Sequence, residues 1–499
     1  MSREFSNLES TNKQLLKLKA MSKFTKIPSE ISNFFSEKRC PAIMNDFAKL
    51  LESLTISDRH LGGTKRENCQ LTNLQVFQII ILMPFFAVVG FSHYAASVMN
   101  RMFGGKKDIL YSFMAKDNID WRNVIYGITM KLIGKVTVRK DFKKSHLPAV
   151  LIADDSDLPK TGMRMEMIGK IFSHVHQKCI LGYKALMLCW SDGRSQFMLD
   201  ASLHGEKGKI EGKEQGLTSK QRQKRYSRER EEKSCTSKRM EEYFMNKGEK
   251  LIEMVKRAIK AKVEFGYLLV DSWFTCTGLV DFVCKCHKQF HLLGMAKMGN
   301  TKYITEEWGE LSATAILSKL KSSKSISYSR RYRCHYATVT ATLGKRQVKL
   351  FFCRMSKNEK WRILLTTDTK LDFMRAYEIY AMRWAIEVFF SDSKRLLGLS
   401  DCSARDFSSQ IAHVSLVMIR YNLMASLKRT HDYETIGGLF NDMYSGVHEL
   451  TVIEKIWGII LEVVAVVAEL TGMDDEVMLE LIIHDNKRLA AFQALAQSV

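Results

Sequence analysis

The sequence lacks any stretch long and apolar enough to cross a membrane as a helix. Its longest apolar run, Val76 to Phe91, is shorter than the roughly 20 residues that a spanning helix needs, and it contains Gln78 and Pro84. The N-terminal segment up to Cys40 is polar and basic, without the apolar core of a signal peptide. We therefore expect a soluble, intracellular protein.

The sequence also lacks the paired cysteines of a disulfide framework. Its 11 cysteines are scattered and odd in number, which is typical of reduced thiols in a cytosolic protein. No internal repeat is visible. A chain of 499 residues with 46% hydrophobic residues can bury a large core, so we expect two to four domains.

Acidic residues are scarce relative to basic ones. The chain has 76 Lys and Arg against 54 Asp and Glu, which gives a formal net charge of +22. Such a charge favours a polyanionic partner, nucleic acid first and an anionic membrane surface second. Membrane binding ranks lower because no basic amphipathic helix with interfacial tryptophans stands out. Charge alone gives salt-sensitive affinity and does not define a chemistry.

Hydrophobic periodicity divides the chain into five parts. Helical spacing dominates the beginning, strand patterns the middle, and a helical period returns at about Phe373. The last part contains an amphipathic stretch, Ile453 to Leu470. The predicted parts are a helical region 1–145, the first part of an α/β core 146–295 with a basic insert 205–250, a β-rich insertion 296–368, a final core helix 369–405 and a helical region 406–499.

Two apolar runs in the core end in acidic residues. Leu147 to Ala153 is followed by Asp154 and Asp155, and Phe265 to Val270 is followed by Asp271. Short continuous apolar runs indicate buried central strands. Strand alternation puts Asp154 and Asp155 on opposite faces, so the pattern alone leaves open which of them acts with Asp271.

A third acid lies in a predicted helix near residue 380. Tyr380, Arg383, Glu387 and Lys394 project within about 60° of one another on one helical face. A solvated, salt-bridged surface has the same composition. Together with the two aspartate strands, however, the helix predicts a metal-dependent phosphoryl-transfer site. Carboxylates are the ligands that Mg²⁺ and Mn²⁺ prefer, and two such ions about 4 Å apart activate the attacking and leaving oxygens.

These motifs resemble those of a known family. The spacing Tyr-x₂-Arg-x₃-Glu-x₆-Lys, from Tyr380 to Lys394, is similar to the signature of DDE transposases of the insertion-sequence-4 type. The segment Asp154 to Gly162 resembles the first-aspartate motif of that family, with Ser156 in place of the usual threonine. The segment Val270 to Phe274 resembles the second, and the resemblance covers roughly residues 145–405.

The resemblance implies a ribonuclease-H-like mixed-sheet core of α/β class, interrupted by the β-rich insertion. It also implies Mg²⁺-dependent cleavage of double-stranded DNA at the ends of the element, with Mn²⁺ able to substitute, and strand transfer by a homodimer in a synaptic complex. The helical region 1–145 would then recognise DNA ends, the region 406–499 would dimerise, and the protein would work in the bacterial cytoplasm at the nucleoid.

The resemblance also assigns roles to residues. By motif position, Asp155 is chosen over Asp154 as the first catalytic and metal-binding acid. The implied catalytic and metal-binding residues are therefore Asp155, Asp271 and Glu387, and the implied DNA-binding residues are Tyr380, Arg383, Lys394 and Lys160. Trp308 and Trp361 are candidates for stacking a flipped base, although a tryptophan in a strand or core has the same pattern.

Two alternatives stay open. The first is a metal-dependent nuclease, such as a domesticated transposase, that cuts DNA without strand transfer. The second is a non-catalytic DNA-binding protein, for which Asp271→Asn would leave all activity unchanged.

Overall fold

The computed structural model describes residues 42–63, 71–143, 145–208, 210–286 and 290–498. The described residues form two compact units, one made of those from 42 to 120 and from 430 to 498, the other of those from 121 to 429. The polar, basic N-terminal segment up to Cys40 lies outside the described residues. The boundaries between the five predicted parts of the chain stay predictions.

Eighteen helices lie within the described residues. In chain order they are α1 (Ala42–Glu52), α2 (Asn73–Leu82), α3 (Phe91–Ala95), α4 (Val98–Phe103), α5 (Lys107–Met114), α6 (Trp121–Thr137), α7 (Lys140–Lys143), α8 (Ser219–Gln223), α9 (Cys235–Phe244), α10 (Lys247–Lys260), α11 (Thr277–Lys285), α12 (Ala313–Ser322), α13 (Phe373–Ala381), α14 (Trp384–Leu396), α15 (Phe407–Thr430), α16 (Ile436–Thr471), α17 (Asp475–Asp485) and α18 (Lys487–Ser498).

The strands belong to one sheet. They are β1 (Val150–Pro159), β2 (Gly169–Ser173), β3 (Lys178–Ser191), β4 (Gln196–His204), β5 (Tyr267–Val270), β6 (His291–Ala296), β7 (Lys302–Thr305), β8 (Gly309–Ser312), β9 (Ser327–Ser329), β10 (Cys334–Leu343), β11 (Arg346–Arg354) and β12 (Arg362–Thr366). Their order is β2-β3-β1-β5-β6-β12-β11-β10-β7-β8, with β4 on β3 and β9 on β10.

The core of this sheet is mixed. β1, β3 and β4 pair in antiparallel fashion, whereas β5 and β6 run parallel to β1. The predicted α/β fold with a mixed-sheet core and helical regions at both ends of the chain is confirmed. The β-rich insertion continues the same sheet, because β12 pairs with β6 along four residue pairs.

Turn chemistry explains the hairpin of the insertion. β10 and β11 pair out to Leu343 and Arg346, which leaves a two-residue turn. Gly344 has φ +62° there, a conformation that glycine adopts without steric cost and that tight hairpin turns require. β12 follows this hairpin and pairs with β11 over five residues.

The unit containing residues 42–120 and 430–498 is helical in all its described elements. α2 begins at Thr72, whose side chain accepts a hydrogen bond from the Gln75 backbone while the Gln75 side chain accepts one in return, a capping box. Phe85 lies at the centre of the apolar core, with ring contacts to Phe47 and Phe440 at 5.1 and 5.5 Å. In the part of the chain that the structure describes, no helix is long and apolar enough to cross a membrane.

Candidate active site

The register of two parallel strands sets two aspartates side by side. β1 and β5 pair up to Ala153 and Val270, so Asp154 and Asp271 are the next residues on neighbouring strands, roughly 5 Å apart in their backbones. β1 does not end at its acids as predicted. It continues to Pro159 because β3 pairs with it over ten residues, while its pairing with β5 stops at Ala153.

Arg383 joins the first aspartate to the helix that carries the glutamate. Its guanidinium donates a hydrogen bond to Asp154 Oδ2 at 3.0 Å and another to Glu387 Oε1. Glu387 lies in the first turn of α14, where the helix dipole stabilises a carboxylate. The structure therefore brings Asp154, Asp271, Arg383 and Glu387 together.

The motif from Tyr380 to Lys394 spans two helices, whereas the sequence predicted a single one. α13 ends at Ala381 and α14 begins at Trp384. Between them the backbone N–H groups of Arg383 and Ala385 bond to carbonyls three residues earlier instead of four, so the chain tightens into a 3₁₀-type turn. Tyr380 lies before this turn and Glu387 after it.

Asp155 lies apart from this cluster. Its carboxylate forms an ion pair with the Lys247 ammonium at the start of α10, and that ammonium also lies over the Trp273 ring, 4.2 Å from the centroid. Successive side chains of a strand point to opposite faces, which explains why Asp154 and Asp155 have different partners.

The pKa of Asp154 is raised to about 7. Burial is the largest cause, and the negative charge of Asp271 adds to it, whereas the Asp155 backbone N–H and Arg383 lower it. Two nearby carboxylates with too little positive charge between them cannot both ionise easily. The pair is therefore a place where a proton or a cation would be stabilised.

Two carboxylates of the site, Asp154 and Asp271, suit a divalent cation, and only Asp271 is among the three expected ligands Asp155, Asp271 and Glu387. Asp271 Oδ1 accepts hydrogen bonds from the backbones of Trp273 and Phe274 at 2.9 and 3.3 Å, which fixes the carboxylate beside Asp154. The third acid, Glu387, is held by Arg383. Among the described residues, no group of three or more His, Cys, Asp or Glu side chains is arranged to hold a metal.

The remaining predicted residues hold the site together. Tyr380 donates its hydroxyl to the Val270 carbonyl at 3.3 Å, and burial raises its pKa to about 12. Lys394 donates to Ser156 Oγ at 2.7 Å, and Ser156 shares the strand face of Asp154. Lys160 donates to the carbonyls of Ser400 and Cys402 at 3.0 and 2.9 Å, so its ammonium holds a loop.

Sequence reasoning missed Lys247, whose only signal is its place near the end of the basic insert. Other cations of that insert form internal contacts. Arg230 forms a two-pronged ion pair with buried Glu166 at 2.5 and 2.6 Å, and Arg225 donates to Gln215 and to the Ile168 carbonyl.

The two tryptophans proposed for base stacking lie in the insertion. Trp361 precedes β12, with Arg354 4.9 Å and Lys321 5.9 Å from its ring centroid. Trp308 lies in the turn between β7 and β8, where its backbone N–H donates to Thr305 Oγ1. A stacking role for either tryptophan stays a prediction.

Comparison with known proteins places part of the chain in a class. Residues 245–423, which are 179 of the 499, match a family model described as a transposase DDE domain. This range includes Asp271, the junction of α13 and α14, and Glu387, but it excludes β1. The chain thus contains a segment similar to transposase DDE domains.

Other comparisons are weaker. No curated protein matches. A piggyBac transposase synaptic complex with hairpin DNA is similar at a TM-score of 0.41 and 13% identity, covering 85% of this chain and 80% of that one. The NurA nuclease of Sulfolobus solfataricus gives a TM-score of 0.22 and 10% identity, covering 57% and 85%. At TM-scores of this size, neither likeness carries an argument.

Proposed function

We propose that the protein is a DNA transposase that cuts DNA at the ends of its own element and joins the freed 3′ ends to a target. The observation that carries the proposal is the register of β1 and β5, which sets Asp154 beside Asp271, near the helix that carries Glu387. The match of residues 245–423 to a transposase DDE domain supports the same class. The net charge of +22 suits a DNA partner.

We assign the first acid to Asp154 rather than to Asp155. Asp154 shares Arg383 with Glu387 and is affected by the charge of Asp271, whereas Asp155 is neutralised by Lys247 on the other strand face. A catalytic carboxylate must lie beside the other acids. We therefore give the contacts of Asp154 more weight than the position of Asp155 in the family motif.

Asp154 and Asp271 would hold a divalent cation, Mg²⁺ with Mn²⁺ able to substitute, and Glu387 would join them once Arg383 releases it. Bound there, the cation would neutralise charge on the phosphodiester and favour ionisation of the attacking oxygen. Asp271 is already oriented by two backbone N–H groups, so little reorganisation of that ligand is needed.

The cations of the site would then have different tasks. Arg383 presents a planar fork that suits a phosphate as well as a carboxylate, and Lys394 would add a point charge on the same side. Tyr380 and Lys160 would position the site through their carbonyl contacts rather than bind DNA. As the resemblance implies, two copies would act on two DNA ends, in the bacterial cytoplasm at the nucleoid.

The test is cleavage of a DNA fragment that carries this gene and its flanks, with Mg²⁺, with Mn²⁺ and with EDTA. Wild type should cut in a metal-dependent way at positions that bracket the gene. Asp154→Asn, Asp271→Asn and Glu387→Gln should each reduce cleavage by roughly 10²-fold or more while DNA binding persists. Asp155→Asn is the matched control, one residue away on the same strand, and should retain most cleavage.

Each other outcome selects a different function. Cuts scattered through the DNA, without joining to a target, would indicate a nuclease without strand transfer. Binding without cleavage by every protein would indicate a non-catalytic DNA-binding protein. Loss of cleavage in Asp155→Asn with retention in Asp154→Asn would return the first acid to Asp155.

A further inference from the structure

The hairpin between β2 and β3 extends past the end of β1. β1 and β3 pair in antiparallel fashion from Val150 to Pro159, the last residue of β1. Beyond this point β3 stays paired with β2 as far as Ser173 and Lys178. These two strands and their turn, residues 169–182, form a two-stranded arm that is here called the ribbon.

The ribbon leads away from the acids of the candidate active site. Asp154 pairs with Met187 of β3, and β3 begins nine positions earlier, at Lys178. At about 3.3 Å per residue, the tip of the ribbon lies at most about 30 Å from Asp154 along the strand. The axis of duplex DNA rises about 3.4 Å per base pair, so this length corresponds to about nine base pairs. The tip is therefore placed to reach DNA that flanks the cut.

The tip of the ribbon is a closed turn with an exposed apolar residue. Residues 174–177 form the turn and are exposed, and Val175 is 85% exposed. Gln177 adopts φ +51°, and its side-chain amide donates a hydrogen bond to the His174 carbonyl at 2.6 Å. The turn is thus held by its own hydrogen bond, while Val175 faces solvent.

The body of the ribbon is anchored to the unit of residues 121–429. Ile171 is buried, and the Phe172 backbone N–H donates a hydrogen bond to the Glu206 carboxylate at 2.9 Å. The Phe172 ring also meets the His174 ring edge to face, with 5.2 Å between the centroids. A tip that is held in this way can bind a partner with little cost for ordering the chain.

The charge of the ribbon indicates which partner it fits. Residues 167–183 contain no acidic residue, and Lys170 and Lys178 are exposed, one on each strand. A single exposed valine among cations is a poor protein interface, because the centres of protein interfaces are depleted of lysine. Duplex DNA fits better, since its phosphates attract lysines and its major groove admits a two-stranded β-ribbon.

We propose that the ribbon enters the major groove of the DNA that flanks the cut, with Val175 against base edges and with Lys170 and Lys178 on phosphates. Apolar side chains distinguish thymine by its 5-methyl group, so the ribbon favours thymine at the position that Val175 contacts. The inference rests on the proposed reaction on DNA and adds to it a reader of the flanking sequence.

Hydroxyl-radical footprinting tests the position of the ribbon. The full-length protein is bound in EDTA, so that it does not cut, to the fragment that carries the gene and its flanks. Wild type should protect a patch up to about nine base pairs from the cut. Val175→Asp should lose this patch but keep protection at the cut, and should bind at least about tenfold more weakly, because an acid at the tip repels phosphates. Val138→Asp is the matched control, since Val138 is 70% exposed in the same unit; it should keep the full footprint.

The salt dependence of binding tests the phosphate contacts. Lys178→Gln should reduce the slope of log affinity against log salt concentration by about 0.9, the amount expected for one lost phosphate contact. Thermal unfolding and circular dichroism spectra equal to those of wild type would show that the variants fold. An unchanged slope would contradict the phosphate contact of Lys178.

Uracil tests the contact of Val175, because it differs from thymine only by the missing methyl group. The protected patch is rewritten as A·T pairs, and a second fragment has deoxyuridine in place of thymidine there. Wild type should bind the thymidine fragment about fourfold more tightly, as expected for one buried methyl group. Val175→Ala should bind both fragments equally, whereas Val138→Ala should still distinguish them.

Three results would overturn the proposal. They are a wild type that protects no DNA, a Val175→Asp footprint identical to that of wild type, and equal affinities of wild type for the two fragments. Cleavage assays separate this inference from the proposed function. A patch that depends on Val175 in a protein that cuts no DNA leaves the ribbon standing without the transposase chemistry. Cuts that bracket the gene, with a footprint indifferent to Val175→Asp, leave the chemistry standing without the ribbon.

Discussion

Two clusters of charged residues in the unit of residues 121–429 differ in their ratio of acids to cations. In the first, called here the buried network, the two acids Asp200 and Glu242 form ion pairs with four cations. Asp200 accepts hydrogen bonds from Arg122 and Arg257 at 2.8 Å each, and Glu242 pairs with Arg122, Arg239 and Lys250. In the candidate active site, Asp154 and Glu387 share Arg383, and Asp271 lies beside Asp154.

The pKa values show the consequence of this difference. Burial raises the pKa of both acids in the buried network, yet their cations hold each pKa below its ordinary value. At the site, burial and Asp271 together raise the pKa of Asp154 to about 7. A structural ion network satisfies its charges, whereas a functional site keeps an imbalance that a ligand corrects. This contrast supports the assignment of the site more strongly than the presence of acids alone.

The largest expected effect is a loss of stability when the buried network loses an acid. Asp200→Asn would leave Glu242 as the only acid of the buried network facing its four cations and should lower the free energy of unfolding by about 3–5 kcal/mol. Urea denaturation followed by tryptophan fluorescence reports on this unit, because six of the seven tryptophans lie between residues 121 and 429. The partly exposed acid Asp281 pairs with Lys285 and Arg346, and Asp281→Asn should lower the free energy of unfolding far less, because ion pairs near solvent contribute little to stability. Equal losses would remove the contrast between buried and surface pairs.

The next effect is acid sensitivity of the same network. Because Asp200 and Glu242 have lowered pKa values in the folded protein, their stabilisation is present above the unfolded pKa of about 4 and is lost as pH falls through the folded pKa. Below about pH 4, wild type should lose up to about 1.4 kcal/mol per pH unit for each acid. Glu242→Gln should be less stable than wild type at pH 7 and should show a shallower acid slope in thermal unfolding. Parallel pH curves for the two proteins would contradict the expectation.

The smallest effect has the opposite sign and belongs to the site. The pKa of Asp154 is raised in the folded protein. The stabilisation that its protonated form contributes is therefore present below the pKa of Asp154 in the unfolded chain and is lost as pH rises towards 7. At pH 8 in EDTA, Asp154→Asn should therefore stabilise the protein, by about 1 kcal/mol after the weakened Arg383 contact is counted. Asp155→Asn, which breaks the pair with Lys247, should not stabilise it. A destabilised Asp154→Asn protein would mean that its charge is as well satisfied as that of Asp200.

The sequence predicted much of the fold because local signals dominate there. Buried runs such as Val150 to Ala153 and the amphipathic stretch in α16 depend on neighbours a few residues away. The mixed sheet was implied by the family resemblance and not by these local signals. The continuation of β1 beyond its acids was not predicted, because it depends on the distant strand β3.

The residue types of the site were predictable from the sequence, but the partners of each side chain were not. Alternation allowed either Asp154 or Asp155, and only the register with β5 and the position of Arg383 favours Asp154. The tight turn between α13 and α14 has no proline or glycine to announce it. Lys160 has a charge suited to phosphate, yet its partners are two carbonyls that lie 240 and 242 positions later in the chain.

The pairing of β12 with β6 has a consequence for motion. Backbone hydrogen bonds run without interruption from the strands that carry the aspartates into the insertion. An insertion joined in this way cannot swing as a separate lid about a flexible tether, because separation would break four residue pairs at once. Amide protons of β11 and β12 should therefore exchange with solvent as slowly as those of β5 and β6, as one cooperative unit. Movement on DNA binding would then be confined to loops and to bending of the sheet.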